Sequence, residues 1–171
     1  MNQAANSRDD LFLDGTLIGI AGGLAEVAAV SGYSAMSGTD ASSVARGIAQ
    51  VFSVNTMPAV AGLAIHMGLA VALGIALLAL MRALPGWSAA LGITTFLALS
   101  LAAVWGINFF IVLPAVGADF VNLLPYPVSL ISKLSFGLAA AAMLAQLRPV
   151  GLAHNSGYPG AHQNHSGSSI H

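Results

Sequence analysis

The chain contains no cysteine. That excludes disulfides, thiolate catalysis, and Cys-ligated metal or iron–sulfur sites. Charge is almost as scarce. Only 6% of the 171 residues are Asp, Glu, Lys or Arg, against about a quarter in a soluble globular domain. Such a chain cannot cover a water-facing surface. Five basic residues without a cluster leave no stripe for nucleic acid, whose affinity rests on grouped Lys and Arg. Neither a nucleophile–base pairing, nor a phosphate loop, nor an Asp/Glu/His metal motif is legible. The sequence points away from an enzyme.

What the chain has instead is apolar length. Hydrophobic residues make up 57% of it. A membrane-spanning helix needs about 20 predominantly apolar residues, and four such runs nearly exhaust the sequence. The expected fold is all-α: an integral membrane four-helix bundle, with a short interfacial helix between spans 1 and 2. The spans are expected at 12–37, 57–83, 88–113 and 128–147, within a membrane domain covering 11–148. Residues 1–10 read as a polar tail, and 149–171 as a disordered tail rich in His, Gly and Ser. The first run is flanked by Asp9, Asp10 and Asp14 as well as Arg8. It also exceeds the roughly 7–15 apolar residues of a signal peptide. A retained helix is the expectation.

Each span carries its own polar residue, set among small ones in spans 1, 2 and 4. In span 1, Gly15, Gly19 and Gly23 recur every fourth residue and share a face with Glu26. Such faces let a neighbouring backbone approach closely. In span 2, Gly62, His66, Ala70 and Gly74 repeat the pattern, behind Pro58 in the first turn and Asn55 or Thr56 as cap. Span 3 ends at Pro114, with Trp105, Asn108 and Phe109 in its last two turns. In span 4, Ser129, Lys133, Gly137 and Ala141 line one face. Leu84, Pro85, Gly86 and Trp87 read as a tight turn between spans 2 and 3. The connection 114–127 combines prolines with Phe120, Val121, Leu123 and Leu124, too apolar for a free loop.

Residues 40–53 are amphipathic. Thr39 or Asp40 can cap a helix. Ala41, Val44, Ala45, Ile48, Val51 and Phe52 form its apolar stripe. The stripe suits a helix on the membrane surface, or one folded against the end of the bundle.

Arg8, Arg82 and Arg148 fall on one side of a four-span topology and Arg46 on the other. The positive-inside rule then gives N-in and C-in, with both long connections, 38–56 and 114–127, facing outward, which in a bacterial inner membrane would be the periplasm. From a rise of about 1.5 Å per residue, Lys133, Asn108, His66 and Glu26 all lie at the bundle centre or in its outer half. They are expected to converge, with a buried Glu26–Lys133 ion pair or a link through His66. An ionised residue at mid-helix costs about 2.5–3.5 kcal/mol on insertion scales, and pairing relieves it. Such a pair can serve function or fix helix register.

His66 suits a hydrogen-bonded packing residue, a proton relay, a metal ligand or a haem ligand. It is the one histidine within the spans, so no cofactor is expected unless another subunit completes the site. His154, His162, His165 and His171 lie in the tail. They are candidates for loose metal binding, with a solvated linker as the alternative.

AGGLAEV at 21–27, IHM at 65–67, WGINFFIVLP at 105–114 and LLPYPVSLISKLSFGLAAA at 123–141 resemble small four-span bacterial inner-membrane proteins of unknown function. The resemblance covers most of 15–145. It implies the four-span fold, makes Glu26, His66, Asn108 and Lys133 the family-like positions, and supplies no activity.

Two functional expectations follow. One is a small accessory or structural subunit, packing through its glycine faces with itself or within a larger membrane complex, its other partner being the lipid bilayer. The alternative is a small transporter or proton-conducting protein working through Glu26, His66 and Lys133.

Overall fold

A computed structural model describes residues 3–116 and 123–147, with side chains from position 10 onward except at position 90. The described residues are helical, without strands. Four helices are long and apolar enough to cross a membrane: Asp10–Ser37, Pro58–Ala83, Ile93–Val116 and Tyr126–Leu147.

Helix α1 runs Gln3–Ser37. Residues 3–10 are therefore its first turns rather than a separate tail. Extending an existing helix costs far less than starting one, and Gln, Ala and Arg favour the helical state. Gly38, at φ 70, ends it.

Helix α2, Ala41–Val51, starts at Asp40. The Asp40 carboxylate accepts the Ser42 backbone N–H at 2.8 Å, the Ser42 hydroxyl at 2.7 Å and an Arg46 N–H at 2.7 Å. At its other end Ser53 N–H reaches the Gln50 carbonyl and Val54 N–H the Ala49 carbonyl, both at 2.9 Å. That pairing closes a helix around a left-handed residue. Here the residue is Ser53, at φ 56, where glycine is usual.

The hydroxyl, amide and guanidinium donors around Asp40 hold its carboxyl at about 2, below the ordinary 3.8. A carboxyl whose folded pKa is depressed contributes stability above its unfolded value and loses it as pH falls through the folded one. The protection of amides at the start of α2, taken relative to their intrinsic exchange rate at each pH, is expected to hold at pH 5 and to fall between about pH 4 and 2. Asp40→Asn, which keeps an acceptor and loses the charge, is expected to flatten that dependence. An unchanged profile in the variant would show that the cap does not set it.

Helix α3, Pro58–Ala83, opens at Met57, which sits at φ 46 and makes no side-chain cap. Neither Asn55 nor Thr56 caps it. Pro58 occupies the first turn, where its missing N–H costs nothing.

The tract expected as a tight turn is helix α4, Pro85–Leu91. Proline starts a helix as readily as it ends one. The break falls later, at Gly92, whose φ of 72 a side chain would strain. Helix α5 then covers Ile93–Ile107, so the third span begins at 93 rather than 88. It does not stop at Pro114. A π-helical stretch, Asn108–Val112, intervenes, with the Leu113 N–H reaching back to the Asn108 carbonyl. Helix α6, Leu113–Val116, follows. In a regular helix the proline ring meets the carbonyl four residues back. The widened turn directly before Pro114 accommodates the ring and carries the helix on to 116. Helix α7 is Tyr126–Leu147. Positions 117–122 and 148–171 lie outside the described residues, and with them the middle of the apolar linker, the tail and its four histidines.

Packing runs from α3 to α1, from α1 to α7, and from α7 to α5, with α2 laid on α3. Glycines set the α1–α3 spacing. A Cβ built on Gly19 would lie 2.5 Å from the Val71 Cα, and one on Gly15 2.7 Å from the Ile75 Cα. One half of the assembly is a dry core of Ile18, Leu77, Leu97, Leu101, Phe136 and Ala140, each at most 3% exposed. In the other half, where α2 lies, the same helices leave a cavity.

Candidate functional site

The cavity is about 510 Å3, within the range of about 300–1,000 Å3 typical of small-molecule sites. Lining residues come from α1, α2, α3, α5, the π segment, α6 and α7. Val44, Ile48 and Phe52 of α2 face it, with Val104 and Val112 from the third span. The stripe of α2, read as suited to a membrane surface or to the end of a bundle, thus turns toward the protein's own cavity. Gly62 of α3 permits this, because a Cβ there would collide with the backbone carbonyl of Ala45.

Besides Ser31, Ser129 and Ser132, four polar residues from four segments interrupt the apolar wall: Glu26, His66, Asn108 and Lys133. Glu26, on α1, is 4% exposed. Its Oε1 lies 2.6 Å from Lys133 Nζ on α7. Its Oε2 lies 3.5 Å from His66 Nε2 on α3. One carboxylate therefore joins three helices. The small-residue faces explain how: Gly23 and Ala70 bring α1 and α3 together one turn from the cluster, where a Cβ on Gly23 would lie 2.8 Å from that of Ala70.

Charge balance defines the chemistry. Glu26 and Lys133 cancel, so the cluster is neutral with neutral His66 and carries one positive charge when His66 is protonated. Lys133 also lies 5.9 Å from the centre of the Phe136 ring, a cation–π distance. Phe136 is fully buried and packs against Gly22, where a Cβ would sit 2.5 Å from the ring. His66 Nε2 is buried and makes no hydrogen bond among the described residues. A buried nitrogen in that state is out of balance with its surroundings.

Asn108 reaches the same cavity from the first residue of the π segment. Widened turns of this kind often occur at functional sites. The sequence showed Asn108 near Pro114 but gave no sign of the π geometry. It also gave no sign of the brace beside it. Trp105 donates its indole N–H to Ser129 Oγ at 3.0 Å, and Ser129 donates to the Tyr126 carbonyl at 2.9 Å. The Trp105 ring stacks on Phe109 and meets Phe110 and Tyr126 edge-on, with centroids 5.5–6.3 Å apart. Trp105 and Ser129, 24 residues apart, are joined only by the fold.

The glycine candidates fall in three places. Gly15, Gly19, Gly23 and Gly74 face the α1–α3 contact, and Gly62 faces α2. Gly137 meets the Leu101 side chain, 2.9 Å from where its Cβ would stand. Three or more His, Asp or Glu side chains grouped as a metal site do not occur among the described residues. Asp14 and Arg82 form a separate pair, 3.9 Å apart, at the opposite end of the helices.

Compared with protein-family models, with curated proteins and with solved structures, the chain matches none.

Proposed function

We propose that this protein is a four-span membrane bundle that moves protons, or a solute coupled to protons, through Glu26, His66 and Lys133. The observation that carries this reading is a buried carboxylate held 2.6 Å from a lysine and 3.5 Å from a histidine at the wall of a cavity. Ionisable groups inside spans are costly and mark ion pathways by default. Histidine is the side chain whose unperturbed titration lies nearest neutral pH. With the N-terminus inside, as the arginine distribution favours, the cavity half faces the outer side of a bacterial inner membrane.

The accessory-subunit reading drew on glycine faces free to bind a partner. Gly15, Gly19, Gly23, Gly62 and Gly74 all meet other helices of the same chain. That leaves the relay as the better supported reading.

The test is proton flux into proteoliposomes carrying an internal pH dye, driven by a potassium diffusion potential. Wild-type protein is expected to acidify the lumen faster than empty vesicles. Glu26→Gln and His66→Ala are each expected to lose most of the difference. Equal flux in wild type and Glu26→Gln would remove the basis of the proposal.

A further inference from the structure

The walls and the polar floor of the cavity together describe a ligand. The walls are aliphatic and aromatic: Val44, Ile48, Val104, Phe109 and Val112. They suit a hydrocarbon chain. At the floor, Lys133 has three N–H donors, and Glu26 is its one ionic partner among the described residues. The Asn108 carboxamide adds further donors on the same cavity. The complement of this set is a head group that accepts hydrogen bonds.

Charge decides among the acceptors. A cationic head would leave one uncompensated positive charge beside the neutral Glu26–Lys133 pair, and burying an unpaired charge is strongly unfavourable. An uncharged head that only accepts hydrogen bonds would leave His66 Nε2 without a partner. A monoanionic head balances the site when it arrives with one proton on His66. Lys133 and His66 then carry two positive charges against Glu26 and the ligand, and protonated Nε2 becomes a donor facing Glu26 Oε2. The charged groups facing His66 are Glu26 from α1 and Lys133 from α7. On α2, Arg46 is paired with Asp40 at 2.7 Å. The third span contributes only the untitratable Asn108.

We propose that the cavity binds a single-chain amphiphile with a carboxylate head, its chain along the α2–third-span wall and its head at Lys133, taken up together with one proton on His66. No covalent step is involved; the proton comes from water and goes to Nε2. The inference rests on the relay reading above, and the two fail differently.

The probe is laurate, titrated calorimetrically into the full-length protein in nanodiscs, with empty nanodiscs subtracted, in two buffers of different ionisation enthalpy. Saturable binding with uptake of about one proton per laurate is expected above the histidine pKa range. His66→Gln is expected to lose the proton uptake and to bind more weakly. Acetate, which lacks the chain, and dodecylammonium, which reverses the charge, are expected not to compete. The proposal is overturned by competition from dodecylammonium, by acetate competing as well as laurate, by proton uptake persisting in His66→Gln, or by no saturable signal. Glu26-dependent proton flux without laurate binding sinks the substrate class and leaves the relay. Saturable laurate binding without such flux sinks the relay and leaves the site.

Discussion

Lys133→Met is expected to destabilise the protein by about 3–5 kcal/mol, the usual cost of removing one partner from a buried ion pair. Glu26 is the reason. It is 4% exposed, and Lys133 at 2.6 Å is the ionic partner of its Oε1. Without that ammonium the carboxylate must either stay ionised in apolar surroundings or take up a proton, and both cost free energy. His66, at 3.5 Å and on the other oxygen, offers part of a replacement only when protonated. The loss in Lys133→Met should therefore grow as pH rises through the histidine range, where that substitute charge disappears.

The double variant separates two meanings of the pair. Glu26→Gln with Lys133→Met removes both charges and keeps the approximate shapes. If the pair is a structural cost tolerated for another purpose, the double variant is expected to recover most of the stability, because replacing a buried pair by matched neutral groups is often neutral or stabilising. Thermal unfolding in one detergent, across the two single variants and the double, gives the coupling. Recovery of stability with loss of proton flux would assign the pair to function. A double variant as unstable as Lys133→Met would instead assign it to holding α1, α3 and α7 together.

The polar cluster was legible because cost and spacing both speak in a sequence. Glu26 and Lys133 stand out in apolar runs, and residues every fourth position share a helix face. Depth then placed Glu26, His66, Asn108 and Lys133 in one half of the chain's thickness. What depth and face could not give was which helix lies against which. The packing path α3–α1–α7–α5 depends on how Gly22 receives Phe136 and how Gly74 receives α1, and neither is a local property. The π segment was illegible for a similar reason. Asn108–Val112 reads like any apolar helix, and Pro114 reads as a stop. Whether the chain ends its helix or widens a turn to continue depends on neighbours that a single strand of sequence does not name. The Gly92 break failed in the opposite direction. Glycine within an apolar run is ambiguous between packing and a break, and only its φ of 72 decides.

The stripe of α2 shows where periodicity stops being informative. A row of Ala41, Val44, Ala45, Ile48 and Val51 specifies that one face is apolar, not what it meets. Lipid and a cavity wall ask for the same residues. The decision lay in Gly62, a position on another helix, which accepts the Ala45 backbone so closely that no side chain would fit.

Gly74→Leu is the second large effect, and it reaches the cluster from a distance. A Cβ at position 74 would lie 2.4 Å from both the Gly15 carbonyl oxygen and the Gly19 nitrogen. These are backbone atoms inside a helix, so no rotamer change relieves the clash and α1 must move off α3. Overpacking of this kind costs about 1–3 kcal/mol and occasionally more; with backbone on both sides, the upper end is expected here. Glu26 rides on α1 and His66 on α3, so separation of the two helices should also lengthen the 3.5 Å approach between them. Gly74→Leu is thus expected to lower thermal stability and proton flux together, although position 74 lies two turns from His66. Gly68→Leu is the control. Beyond its chain neighbours and its own helix backbone, no described atom lies within 4 Å of a Cβ built there, and both properties should remain near wild type. The reverse pattern, with Gly68→Leu damaging and Gly74→Leu neutral, would mean that the outward glycine face is the one under pressure. The accessory-subunit reading would then regain its footing.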